Sequence, residues 1–155
     1  MVHDSEWRHV LAGRMADRSP ILIEELVEIL DARLRAINVA DLDAQILRAS
    51  IGDNVAILLH LIDNPLDLAS TAPPVRARAL VRRLAQHGVP LYDILDAYYL
   101  SEKHWVQACM EELHALRIPA GEEWSAIVAI WDDSHDYVEH VCRLIAWEHE
   151  VERGK

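Results

Sequence analysis

From Leu91 to Leu116 the apolar residues return every three or four positions: Leu91, Ile94, Leu95, Tyr98, Trp105, Cys109, Leu113 and Leu116. That period fits an α-helix and not a strand, whose faces alternate every second residue. The residues before it fix how this helix begins. Arg82, Arg83 and His87 fall in the last turn of a preceding helix, where cations favour the negative end of the macrodipole. Gly88 accepts the left-handed conformation that stops a helix. Pro90 pre-sets φ for a new first turn and lacks an N–H that would be unpaired there. The stretch Arg83–Leu100 therefore specifies a helix–corner–helix unit.

The rest of the chain reads the same way, and about six helices account for nearly all of it. Ser5 caps a first helix to about Ala16, with Trp7, Val10, Leu11 and Met15 inward. Ser19-Pro20 opens a second, to Ala36, with a stripe of Ile23, Leu26, Val27, Leu30 and Leu34. After a turn at Asn38–Asp41, a third helix runs from Asp41 to about Leu61. Gly52 inside it marks either simple tolerance or a close approach, at a helix crossing or a subunit contact. Asp63–Ala72 is the one extended loop, rich in turn formers. The fourth helix runs from Pro73 or Pro74 to Gln86, the fifth from Leu91 to about Leu116. A long sixth begins near Gly121 and reaches Glu152, with Trp124, Ile127, Val128, Trp131, Val138, Val141, Cys142 and Ile145 inward. No stretch alternates as a strand does, so the expectation is a single all-α domain over residues 1–155.

Charge and composition exclude several classes. The 155 residues carry 15 basic and 26 acidic side chains, a net charge of −11, and such a surface repels phosphate backbones and anionic membranes. The apolar run Val55–Leu59 is far too short to span a bilayer, and Met-Val-His-Asp-Ser-Glu has no secretion-signal character. Cys109 and Cys142 make no ligand spacing and read as buried, reduced thiols. A cytoplasmic location follows.

Catalytic and metal chemistry finds little footing. Glu6 and His9, Glu111 and His114, and Asp132 and His135 have the i, i+3 spacing of helical-bundle metal motifs. Nine histidines among 26 carboxylates produce such pairs by chance, and a metal centre needs further inward ligands. His60, His87 and His104 are the candidate axial ligands for a haem. The chain has no phenylalanine to pack on the ring, and His60 reads as a satisfied core histidine. No Gly-x-Ser-x-Gly elbow occurs, neither cysteine has a neighbouring base, and the glycines build no phosphate loop. The expectation is a non-enzyme with no metal and no cofactor; a haem- or metal-containing sensor or a helical-bundle metalloenzyme is the alternative.

Four pieces carry a family resemblance: ILRASIGDNV (Ile46–Val55), the Ala72-Pro73-Pro74 opening, RRLAQHGVPLYDILDAYYL (Arg82–Leu100) and Trp105. Together they resemble the helical N-terminal sensing domain of actinobacterial transcription regulators of the purine-catabolism (PucR/CdaR-like) type. That domain is related to the N-terminal domain of the stressosome co-antagonist proteins, the RsbRD N-terminal type. The resemblance implies an all-α, partly globin-like input module without haem, whose DNA-binding helix-turn-helix lies far downstream and outside this chain.

Two groups of residues are candidates for such a role. On the fifth helix Glu102 interrupts the stripe between Tyr98 and Trp105; on the sixth, Ser134 lies between Trp131 and Val138. An apolar cavity with a few polar groups is how small ligands are held, and a carboxylate flanked by aromatics suits a cation or amine. For protein contacts, Arg76, Arg78, Arg82 and Arg83 form a basic face that suits an acidic partner. Trp147 and Val151 place apolar surface near the end of the last helix, where it suits a partner helix. The expected assembly is a homodimer that takes a small molecule or a regulatory protein and passes the signal along the last helix.

Overall fold

The computed structural model describes residues 4–39, 42–70 and 74–155. Five α-helices and one 3-10 helix follow in order: α1 (Asp4–Ala36), α2 (Ala44–Asp63), the 3-10 turn (Pro65–Ser70), α3 (Val75–Gln86), α4 (Leu91–Ala115) and α5 (Ala120–Arg153). No strand occurs among the described residues. α1 packs on α2 and α4, while α5 packs on α4 and α3, so the bundle closes around a core shared by all five α-helices.

The first two expected helices are one. α1 runs for 33 residues with Pro20 inside it. A proline there deprives the Ala16 carbonyl of its usual N–H donor. The Ser19 hydroxyl supplies the replacement, donating to the Ala16 carbonyl oxygen at 2.8 Å. The Ser5 side chain lies outside the described residues, as do Asp41, Thr71, Ala72 and Pro73. α2 opens instead on Asp43, whose side chain accepts from the Gln45 N–H. The expected loop after α2 contains the short 3-10 helix.

The corner between α3 and α4 follows the local rules. Gly88 has φ 79°, the Gly88 N–H donates to the Ala85 carbonyl, and the Val89 N–H reaches back to Leu84 at 3.0 Å. These bonds take up the orphan carbonyls of the last turn of α3. Pro90 is the N-cap of α4, and the apolar face Ile94, Trp105, Cys109 and Leu113 is buried as the spacing requires.

Gly52 is no close crossing. A Cβ built there meets only the Ile23 methyl Cδ1 at 4.0 Å, ordinary van der Waals contact. α2 is the one described helix long and apolar enough, by length and composition, to cross a membrane. Here it turns Leu47, Ile51, Val55, Leu61 and Ile62 into the core.

Several residues expected inside are outside. Val10 is exposed on α1, and Trp124, Val128 and Trp131 are exposed on α5, at 67%, 39% and 50%. α5 is apolar over a wider arc than its neighbours cover, and the side actually buried is that of Ala126, Ile130, Tyr137, Val141 and Ile145. His60 is likewise exposed and pairs with Asp67 at 2.9 Å.

Polar contacts tie the helices at their ends. Buried Arg8 on α1 donates to the Ile62 carbonyl of α2 at 3.1 Å and to Asp133 of α5 at 3.0 Å. Arg14 and Arg18 pair with Glu112 and Glu111 across α1 and α4.

Candidate functional site

The helices do not fill their own centre. A cavity of about 340 Å³ lies among them, walled by residues of all five α-helices. Leu26 and Leu30 come from α1, Leu47, Ile51 and Val55 from α2, and Leu80, Val81 and Leu84 from α3. Ile94 and Trp105 come from α4, Val138 and Val141 from α5. The wall residues that are also exposed are Arg33, Ala36 and Ile37, which places the mouth at the end of α1. Left empty, such a space forfeits the packing contacts that its lining side chains would otherwise make. Water is a poor filler, because each molecule needs two to four polar partners and the wall is mainly apolar.

The polar part of the wall is small and connected. Tyr137 donates to the Asn54 Oδ1 at 2.6 Å, and the Asn54 amide nitrogen donates to the Ser50 carbonyl at 3.0 Å. The Tyr98 phenol lies close to the same amide. Burial pushes both phenols well above their ordinary range, only partly offset for Tyr98 by Asn54. Ser101, also in the wall, spends its hydroxyl on the Ala97 carbonyl at 2.8 Å. Tyr98 keeps accessible surface although protein surrounds it densely, which is the mark of a side chain facing an internal space.

Glu102 is 8% exposed and lines the cavity. Its Oε1 accepts from the His135 Nδ1–H at 2.9 Å, since a carboxylate can only accept. Trp131 stacks on the outer face of that imidazole, ring centroids 5.2 Å apart and planes within 2°. Close by, burial first and then Glu102 and Glu139 push the Cys142 thiol up to about 11.

Of the five ligand candidates, Tyr98, Glu102 and Trp105 thus meet in the cavity wall. Trp131 reaches it only through His135 and Glu102, and Ser134, though buried, is not part of the wall. Sequence reasoning missed Asn54, Ser50 and Tyr137. Their signal was polar residues inside the otherwise apolar run of α2 and a tyrosine within the buried stripe of α5.

The basic face of α3 is largely spent within the domain. Arg76 donates to Asp53 at 2.7 Å, and Arg78 and Arg82 converge on buried Glu148 of α5 at 3.1 and 3.5 Å. Arg83 stays exposed. Trp147 and Val151 are exposed on one face of α5 together with Leu144, spaced as i, i+3 and i+7.

The histidines considered for metal or haem are dispersed. His87 bonds the Arg83 carbonyl, His104 bonds Glu25 at 2.8 Å and His114 bonds Glu123 at 2.9 Å. His9 lies 3.6 Å from Asp63. Among the described residues no three His, Cys, Asp or Glu side chains gather as a metal ion would require.

An all-α bundle with an apolar hollow is the setting in which the sequence comparison takes on meaning. Residues 20–155 match the RsbT co-antagonist protein rsbRD N-terminal domain. The chain belongs to this family. RsbRD N-terminal domains are regulatory N-terminal domains, and the match covers every helix that walls the cavity, α1 from Pro20 onward. No curated protein and no solved structure matches the chain significantly.

Proposed function

We propose that this RsbRD N-terminal domain is a non-catalytic sensory input module that takes a small molecule into its central cavity. The observation that carries the reading is the 340 Å³ apolar space walled by all five helices. A ligand there touches every element at once, so occupancy changes how they pack. α3 and α5 are the elements placed to pass that change on. α3 offers Leu80, Val81 and Leu84 to the cavity and, through Arg78 and Arg82, holds Glu148 near the end of α5. α5 is 34 residues long, about 51 Å at 1.5 Å per residue, and moves as a rigid body toward an output module outside this chain.

Within that reading the domain works in the cytoplasm as a homodimer, with Leu144, Trp147 and Val151 meeting a partner helix. No nucleic acid or membrane contacts it directly. The resemblance of Arg82–Leu100 to the input domains of purine-catabolism-type transcription regulators supports a transcriptional output.

n-Butylbenzene is a suitable probe, because it is apolar and small. At one hundred times its dissociation constant a ligand specific to the folded state adds about 2.7 kcal/mol, a rise in melting temperature of several degrees. Val141→Phe, which takes up part of the cavity, should weaken binding and shrink the rise. A melting temperature indifferent to butylbenzene and also to ten-carbon probes that carry a polar head group would sink the sensing reading. Light scattering tests the assembly separately, a monomer at high concentration refuting the dimer.

A further inference from the structure

The polar contacts inside the cavity narrow the chemistry of what it holds. An engineered cavity of about 150 Å³ takes benzene; on that scale 340 Å³ takes about 14 non-hydrogen atoms. Most of the wall is aliphatic, so most of those atoms are carbon. The charges in the wall are Asp93, Glu102 and, at the mouth, Arg33. An anionic group deep inside would face buried Glu102 in a low dielectric. A cation there would give up its hydration shell for the second oxygen of Glu102, whose first His135 already holds at 2.9 Å, or for half-buried Asp93 at the start of α4. The interior therefore favours a neutral molecule.

The Tyr98 hydroxyl stands in the wall without a hydrogen bond among the described residues. Its neighbour Asn54 uses its oxygen on Tyr137 and one amide proton on the Ser50 carbonyl. A donor that loses water without gaining a partner is costly, and a ligand oxygen beside Tyr98 removes that cost.

We propose that the cavity holds a neutral amphipathic molecule of about 10 to 14 non-hydrogen atoms, whose single acceptor oxygen, a carbonyl or an ether, receives the hydrogen bond of the Tyr98 hydroxyl. This rests on the sensing reading above and specifies its ligand. The three side chains Tyr98, Asn54 and Tyr137 form the polar end of the site, and the aliphatic wall of α1, α2 and α3 takes the tail.

Three ten-carbon probes that differ only in head group test it: decan-2-one, decanoate and decylamine, with n-butylbenzene as the apolar control. Calorimetry on the full chain is expected to rank the ketone above the acid and the amine. Tyr98→Phe should weaken the ketone about fivefold to tenfold, the loss of one hydrogen bond, and leave butylbenzene unchanged, which also reports that the variant is folded. Independently of any variant, the carbonyl stretch of bound decan-2-one should move to lower frequency than in hexane. Equal ketone affinity in Tyr98→Phe, or an unshifted carbonyl, would overturn the hydrogen bond. Tighter decylamine would move the contact to Glu102, and tighter decanoate to Arg33 at the mouth; either overturns the neutral class and leaves the sensing reading standing. If none of the four probes binds, the sensing reading fails and this proposal with it.

Discussion

The His149 imidazole, 1% exposed near the end of α5, donates its Nε2–H to the Val89 carbonyl in the corner between α3 and α4, at 2.8 Å. Because a carbonyl can only accept, the tautomer is fixed, and Nδ1 is left buried without a partner among the described residues. The Val89 side chain lines the cavity, so this bond joins the cavity wall to the terminal helix directly. His149→Leu removes the donor and strands the carbonyl, and should cost about 1–3 kcal/mol. His149→Gln places an amide nitrogen where Nε2 stood and keeps a donor for the Val89 carbonyl, so it should cost clearly less. Urea unfolding of the two variants checks this; equal losses would mean that the ring's volume matters and the bond does not.

Ser19 makes the long first helix possible despite Pro20. Its hydroxyl occupies the Ala16 carbonyl that the proline leaves without a donor. Ser19→Ala should destabilise the domain by about 1 kcal/mol, a drop of roughly 2–4 °C in melting temperature for a chain of this size. Pro20→Ala should act in the opposite sense, since it restores the backbone N–H and a better helix former. A neutral Ser19→Ala would show that water serves the carbonyl equally well.

How much of this was legible beforehand depended on how local the cause was. The Gly88–Pro90 corner and the buried face of α4 follow from neighbouring residues and read directly from the sequence. The break expected at Ser19-Pro20 did not form, because the same serine that can cap a new helix can also mend an old one. Trp124, Val128 and Trp131 continue a helical period as faithfully as Ile130 and Tyr137 do. Periodicity could not say which of two adjacent apolar stripes the bundle would cover. Tyr98, Glu102 and Trp105 were identifiable as a polar break between aromatics on one helix. Their partners Asn54 and Tyr137 were not, since sequence spacing says nothing about which faces of distant helices meet. The cavity itself is a property of how five helices are arranged, and no single element encodes it.

Gly52 lies within α2 with room beside it: a Cβ at this position would stand 4.0 Å from the Ile23 methyl. Nothing there demands glycine, so Gly52→Ala should gain helix propensity without strain. The expected change is a stabilisation of about 0.5–1 kcal/mol, read as a higher urea midpoint with an unchanged slope. A loss of stability would mean that α1 and α2 approach more closely than this contact allows.

Tyr98 and Tyr137 are two of the four tyrosines, and burial holds both phenols protonated well beyond their ordinary range. In the unfolded chain they ionise at about pH 10. The folded state therefore keeps protons that the unfolded state releases, and stability falls as pH rises above about 10. Below that pH both states are protonated at these positions and the contribution is fully present. An alkaline titration followed at the tyrosinate absorbance should leave these two phenols silent until the far-ultraviolet circular dichroism collapses, the two signals then moving together. Tyr137→Phe should reduce the steepness of the alkaline loss by one group, while also giving up the bond to Asn54. Four tyrosines that titrate smoothly in the folded protein would place these phenols in contact with bulk water and remove the enclosed polar end of the cavity.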